Sequence, residues 1–352
     1  MPLAPGEAAP WFTAPTLSNP EYHFDTVAGR YVLLVFLPRE VEARAAALKQ
    51  LSTHQPLLDD VRVSAFVVTP DPEPLRGARD MRGLRWFQDA DGAIRRRFGA
   101  LGEDGAERFF WLALDPTLRV LWEKPIEAGD AAFQALWALP PPGEHAGVPM
   151  PAPLLVAPRI FEPELCRRLI ELHETQGSAF TGVMRDRGEV TVAVMDELKR
   201  RRDLVIEDPD LQAALRERLQ TRLFPLMARA FAFEATRIER YLVSCYDAAD
   251  GGVFHPHRDN VTFQTAHRKF ACSLNLNEDF EGGDLGFPEF GPQTYRPPLG
   301  GAVVFSCALL HEAQRVSAGR RYAFLPFFTD EAGAAVRAAY DARVAGRAAA
   351  EA

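Results

Sequence analysis

The chain has 352 residues, 47% of them hydrophobic, and carries 40 Lys and Arg against 48 Asp and Glu, a formal net charge of −8. That length accommodates two domains with separate cores, and the acidic balance argues against nucleic acid as a partner. The four cysteines, Cys166, Cys245, Cys272 and Cys307, form no C-x-x-C pair; they read as small buried hydrophobes in a reducing compartment, which excludes a disulfide scaffold.

Met1 to Glu7 has neither a basic region nor an apolar run, and no stretch approaches the roughly 18 apolar residues that span a bilayer. The expectation is a cytoplasmic protein with no membrane partner. Gly29 to Pro38 and Val61 to Pro70 are apolar runs predicted as buried strands, and the Ala- and Leu-rich stretch Glu40 to Thr53 between them is predicted as a helix. Strand, helix and strand in that order indicate a βαβ unit. With Pro10-Trp-Phe12, Asp89 to Ile94 and Phe109 to Pro116, residues 1–138 resemble the peroxiredoxin branch of the thioredoxin-like α/β folds. A peroxiredoxin needs a cysteine thiolate shortly after the strand that ends here at Pro38, and this chain has no cysteine before Cys166. The expectation for this domain is a binding, docking or homo-oligomerisation role without redox catalysis.

Residues 139–153 are rich in Pro and Gly and read as a semi-rigid linker. Pro163 opens a helix that Gly177 ends after Gln176, with His173 in a structural role. Lys199 to Arg202, with Arg216, Arg218 and Arg222, is locally basic and reads as a solvated face. Asp208-Pro209 opens another helix, whose Leu211, Leu215, Leu219 and Leu223 form a core-facing stripe. Beyond it, Arg240 to Tyr246, Phe270 to Leu276, Gly301 to Ser306 and Gly319 to Phe328 are short strand-like runs separated by turns, the pattern of an all-β sandwich or barrel. Phe270 to Leu276 alternates large and small residues as a half-buried strand does. The Ala-rich segment 331–352 reads as a helix with a frayed end.

Within the strand-rich region stands His257-Arg258-Asp259, followed fifty-two residues later by His311. Side chains at i and i+2 of an extended strand share a face, so His257 and Asp259 can offer a nitrogen and an oxygen to one point. Two histidines and a carboxylate, with other positions open, form the ligand set of non-heme Fe(II) oxygenases. His255 reads as pocket-lining, and His267, beside Arg268-Lys269, as solvated.

Cys245-Tyr246, Gly251-Gly252, His257-Arg258-Asp259-Asn260, Leu276-Asn277, Gly282-Gly-Asp-Leu285, Phe287-Pro288, Val303 to Phe305, His311-Glu312 and Gly319-Arg-Arg-Tyr322 occur in that order. On these pieces residues 154–330 resemble the prolyl-4-hydroxylase-type branch of the Fe(II)/2-oxoglutarate dioxygenases. The resemblance implies a double-stranded β-helix, or jelly roll, with supporting helices. It makes His257, Asp259 and His311 the iron ligands and Arg321, rather than its neighbour Arg320, the clamp on the distal carboxylate of 2-oxoglutarate. Tyr246 then lines the co-substrate pocket. Relatives often carry a second tyrosine just before the Leu-Asn pair; here Asn275 stands in that place, and either Asn275 or Ser273 replaces the hydroxyl contact, or it is absent. The implied reaction consumes 2-oxoglutarate and O2, releases succinate and CO2, and hydroxylates a C–H bond; the carboxylate at Asp259 occupies the position a halogenase would leave to halide. Ascorbate is the implied reductant. A protein or peptide side chain is the implied substrate, with a small-molecule or amino-acid hydroxylase, or a non-catalytic binding protein on both scaffolds, as alternatives.

Overall fold

The computed structural model describes residues 2–71 and 75–351, with side chains described through residue 347; Met1 and Ala352 lie outside the described residues. The chain divides into two compact units, residues 1–152 with 288–292, and residues 153–287 with 293–352. Among the described residues no helix is long and apolar enough to cross a membrane.

The first unit is built on a five-stranded mixed sheet. β1 (Tyr31–Phe36) and β2 (Val63–Thr69) pair in parallel, joined through helix α1 (Val41–Thr53), and β3 (Leu84–Gln88) extends the parallel half. β4 (Phe110–Leu114) and β5 (Val120–Pro125) add an antiparallel half on the other side of β1. Every residue of β1 and β2 is buried, which is why both read as unbroken apolar runs. Glu40 caps α1, its carboxylate accepting from the backbone N–H groups of Glu42 at 2.8 Å and Ala43 at 2.6 Å. The chain's own anion therefore satisfies the donors at that helix start.

The second unit is mostly antiparallel sheet. A ten-stranded sheet includes β6 (Leu154–Ala157), β9 (Arg202–Val205), β10 (Leu242–Asp247), β12 (Phe270–Asn275), β14 (Ala302–Ser306), β16 (Val316–Phe324) and β17 (Phe327–Thr329). A five-stranded sheet includes β8 (Lys199–Arg200), β11 (Val253–His257), β13 (Leu285–Gly286) and β15 (His311–Ala313). A separate hairpin, whose first strand is written β7 (Val183–Arg187), pairs with Val190–Val194. Phe270 to Asn275 departs from the half-buried expectation: positions 271 to 275 are all buried, because β12 is covered on both faces.

Helix α2 (Pro163–Gln176) has the expected bounds, with Gly177 following at a positive φ of 84°. The leucine stripe runs through α3 (Pro209–Arg218), a π turn over Leu219–Leu223 and α4 (Phe224–Phe231). Leucines every four residues drift by about 40° per step around a helix of 3.6 residues per turn. The π turn, with its wider i→i+5 bonding, absorbs that drift. All four leucines stay within the core of the unit, beside Cys166, Leu274 and Phe324. The Ala-rich tail is helical from Glu331 to Glu351 (α5).

Candidate metal and co-substrate site

The two sheets of the second unit contribute different chemistry. On the five-stranded sheet, β11 and β15 are paired so that His257 lies directly opposite His311. A bulge between Phe254 and His257 sets the direction of each side chain along β11. It turns Phe254 and His257 to the same side, their rings stacked with centroids 3.5 Å apart. His255 is left with Val253 on the other side, where it lines a polar pocket with Arg200 and Arg315. His255 is therefore turned away from His257 and lines a pocket other than the one the histidine pair faces.

Asp259 lies just past the end of β11 rather than within the strand, its N–H bonded to Cys307 O at 3.0 Å and its carbonyl accepting from Arg268 at 3.3 Å. Its carboxylate reaches His257 Nε2 at 3.7 Å and His311 Nε2 at 3.3 Å. The three donor atoms all lie within 4.8 Å of one another, close enough for one ion to touch all three. Each imidazole spends Nδ1 on a backbone carbonyl: His257 on His255 O at 2.7 Å and His311 on Leu309 O at 3.0 Å. That bond fixes the tautomer and leaves each Nε2 lone pair for a metal. Burial, with the neighbouring His311, pulls His257 down to about 3, so the ring is neutral at physiological pH. Burial pushes the Asp259 carboxyl up, but His311 and His257 outweigh it and hold the group well below the usual carboxylate range. Neutral imidazoles and an ionised carboxylate are the states in which these groups bind a metal.

The ten-stranded sheet supplies a buried cation. Tyr246 on β10 is the register partner of Arg321 on β16, and the guanidinium lies 5.4 Å from the centre of the tyrosine ring. Arg321 is only 2% exposed, and burial lowers its pKa. Its Nε donates to Asn275 Oδ1 at 3.2 Å and its Nη2 to Ser273 Oγ at 2.7 Å. Ser273 and Asn275 are two apart on β12 and so share a face. Asn275 donates in turn to Pro297 O at 2.9 Å. Gly283 makes room for this side chain: its φ is +72°, and a Cβ there would stand 3.1 Å from Arg321 Cδ. Arg320, by contrast, is half-exposed and paired with Asp247 at 2.8 Å and Glu174 at 3.4 Å.

Among the described residues, no carboxylate pairs with Arg321. A buried cation held by neutral acceptors alone is costly, and that cost is relieved when an anion binds. The donor set on one sheet and the uncompensated guanidinium on the other fit Fe(II) and a dicarboxylate co-substrate.

The family comparison points the same way. Residues 241–329 match the family model of the 2OG-Fe(II) oxygenase superfamily. The chain carries a 2OG-Fe(II) oxygenase domain. It is similar to a PKHD-type hydroxylase of Synechococcus sp. (strain JA-2-3B'a(2-13)), 31% identical over 93 residues, covering 24% of this chain and 41% of the relative. Another PKHD-type hydroxylase, from Pseudomonas fluorescens, is 34% identical over 91 residues, covering 23% of this chain and 39% of the relative. The chain thus spans about two fifths of the length of these curated relatives. Among solved structures, a Trichoplax adhaerens prolyl hydroxylase in complex with a hypoxia inducible factor peptide aligns with TM-score 0.42 and 16% identity, over 53% of this chain and 86% of that one. A Pseudomonas putida prolyl-4-hydroxylase aligns with TM-score 0.38 and 15% identity, over 51% and 92%.

Two surroundings of the site differ from the sequence expectation. His267 is buried, not solvated, and its Nε2 lies 2.7 Å from Glu239, which also holds Arg268 at 2.6 Å. The basic run at 199–202 is not a uniformly solvated face: Lys199, Arg201 and Asp203 are buried while Arg200 is exposed. Period-two alternation along Lys199, Arg201 and Asp203 is the signal that could have found this, because an acidic residue in step with two cations marks an inward-facing ion cluster.

Proposed function

We propose that the chain is an Fe(II)- and 2-oxoglutarate-dependent dioxygenase that hydroxylates a C–H bond. The observation that carries this reading is the pair of half-sites: three metal donors with both Nε2 atoms turned inward, and a buried Arg321 with no carboxylate partner among the described residues. His257, Asp259 and His311 would hold the metal. When bound, Fe(II) together with O2 supplies the oxidising chemistry, with 2-oxoglutarate leaving as succinate and CO2.

The remaining work falls to the chain's own residues. Arg321 presents a planar fork to the distal carboxylate, a geometry suited to bidentate binding. Asn275 and Ser273 hold that fork from behind, so their role is to orient the guanidinium rather than to replace the second tyrosine. The Ser273 hydroxyl, accepting from Arg321, keeps its proton free to donate. Phe254, stacked on His257, and Phe305, 4.5 Å from the His311 ring, line the pocket with apolar surface that limits water.

The prolyl-4-hydroxylase-type order of motifs points to a protein or peptide side chain as the substrate, with ascorbate as the reductant that the same resemblance implies. Residues 1–138 would act as a cysteine-less thioredoxin-like module for binding or self-association in the cytoplasm. The test is 2-oxoglutarate decarboxylation by the Fe(II)-loaded full chain, followed by mass spectrometry of an exposed lysate for products heavier by one oxygen. No metal-dependent succinate formation under any condition would overturn the enzyme reading.

A further inference from the structure

Two buried arginines approach Tyr246, and they are held in different ways. Arg321 ends on the neutral acceptors Ser273 and Asn275. Arg201, whose Cζ lies 5.8 Å from the same ring, donates from Nη1 to the Tyr246 hydroxyl at 3.1 Å. Its Nη2 donates to Asp203 Oδ2 at 3.2 Å, and its Nε lies 2.9 Å from Asp203 Oδ1, off the hydrogen-bond line. Asp203 is fixed from three further directions, by Ser244 Oγ at 2.6 Å, by Lys199 Nζ at 3.3 Å and by the Thr181 hydroxyl. Arg201 also lies over Phe254, 5.6 Å from its ring centre, and so touches the residue that stacks on His257.

This arrangement sets the direction of one proton. A phenol oxygen has a single hydrogen to donate, and a guanidinium can only donate to it. With Arg201 on its acceptor side, the Tyr246 O–H must point elsewhere, and Tyr246 stands opposite Arg321 across the β10–β16 pair. The charges divide in the same sense: Arg201 is neutralised by Asp203, whereas Arg321 is not. One arginine is thus part of the wall and the other awaits an anion.

We propose that Arg201, anchored by Asp203, is a positioning residue that aims the Tyr246 hydroxyl as a donor to a carboxylate of 2-oxoglutarate. The proposal rests on the co-substrate reading of Arg321 given above. It supplies a hydroxyl donor in a chain that has Asn275 where relatives often place a second tyrosine. Arg201 acts through Tyr246 and makes no bond to the co-substrate itself.

The test is a double-mutant cycle read by calorimetry of 2-oxoglutarate binding to the full chain loaded with Mn(II), a stand-in that does not turn over. Arg201→Met and Tyr246→Phe are each expected to weaken binding about tenfold, the scale of one hydrogen bond involving a charged group. The double variant should bind no more weakly than Tyr246→Phe alone, because the arginine has nothing left to aim. Mn(II) binding itself should not change, since Arg201 touches none of the three metal donors. Arg201→Lys keeps the charge but cannot serve Asp203 and Tyr246 together, and it should fall with the Met variant. If Arg201→Met does not fold, the Lys variant carries the same cycle. Additive losses would overturn the proposal while leaving the co-substrate reading standing. A wild-type chain that binds Mn(II) but no 2-oxoglutarate would overturn both.

Discussion

Arg95 in the first unit and Arg321 in the second are both guanidiniums taken out of water, and the protein treats them in opposite ways. Arg95 donates to Asp89 at 3.0 Å and to Glu107 at 2.6 Å. Glu107 also accepts from Arg39 at 3.0 and 3.1 Å, and Arg39 reaches Asp71 at 2.9 Å. Asp89 further caps the short helix Ala93–Arg97, accepting from the N–H groups of Ile94 at 2.8 Å and Arg95 at 3.0 Å. In that network every charged group has an opposite charge within hydrogen-bond reach. Arg321 has only an amide oxygen and a hydroxyl, and on the other sheet of the same unit His257 and His311 aim two lone pairs at one carboxylate. Groups whose partners are all present hold a fold together; groups left open are held ready for a ligand. The first unit has the former kind of cluster just beyond β1, the place where the peroxiredoxin resemblance would require a thiol.

The comparison is tested most severely at the carboxylates. Asp259→Ala should remove most of the iron affinity and abolish 2-oxoglutarate decarboxylation, as measured by metal content after dialysis and by succinate release. Asp89→Ala should leave both untouched, yet cost up to about 3–5 kcal/mol of stability, because it leaves buried Arg95 with Glu107 alone and takes the acceptor from the N–H groups of Ile94 and Arg95. Wild-type metal content in Asp259→Ala would dissolve the distinction.

How much of this was legible in the sequence depends on the range of the interaction. His257, Asp259 and His311 could be read because two stand at i and i+2 in the sequence and the third recurs at a family spacing. The leucine stripe could be read because helix periodicity is local. The bulge in β11 could not, since it depends on how β11 registers against β15, and it decides that His255 faces away while Phe254 stacks on His257. Nor could the contacts of Arg201 with Tyr246 and of His267 with Glu239, which lie 45 and 28 residues away in sequence. His267, beside Arg268 and Lys269, looks solvated until the tertiary fold supplies Glu239. Asn275 was legible as a departure from a pattern, but its work, holding Arg321, appears only once β12 and β16 are paired.

The two arginines should also part company under substitution. Arg95→Met should lower stability by about 3–5 kcal/mol, since it leaves Asp89 buried and short of a cation. Arg321→Met should leave the stability of the metal-free chain unchanged or raised, because it removes a buried charge that has no counter-ion. Its cost should fall on 2-oxoglutarate, with binding weaker by about 1.5–3 kcal/mol and iron binding nearly intact. Arg320→Ala, at a half-exposed side chain with surface partners, should do much less. Denaturant titrations alongside ligand titrations separate these outcomes, and the reverse ranking of Arg320 and Arg321 would move the clamp.

A smaller effect concerns acid. Burial pushes Asp60 up, but Arg85, at 2.7 and 2.9 Å, with Ser64 and the Gly83 N–H, outweighs it and brings the carboxyl to about 2. A folded pKa below the unfolded value near 3.9 stabilises the protein above that pH, and the contribution is lost as pH falls towards 2. This group should therefore account for about 2 kcal/mol of the acid lability of the first unit. Asp60→Asn suits the backbone, whose φ is +62°, and should flatten that part of the stability profile. An unchanged slope between pH 4 and pH 2 would show that the Arg85 pair is not a closed one.

The smallest expected effect is on peroxide. Peroxide reduction of the peroxiredoxin kind requires an accessible thiolate that becomes a sulfenic acid. No cysteine precedes Cys166, and all four cysteines of the chain are buried. Burial raises Cys166 and Cys245 to about 11 and pushes Cys272 and Cys307 well up too. The helix start that would activate a thiolate after β1 is already occupied by the Glu40 carboxylate. The folded full chain should therefore show no thiol-dependent peroxide consumption, and an aromatic disulfide reagent should titrate its cysteines only on unfolding. Rapid titration of even one thiol in the native chain, accompanied by peroxide turnover, would mean that a redox site lies open where the structure shows only packed core.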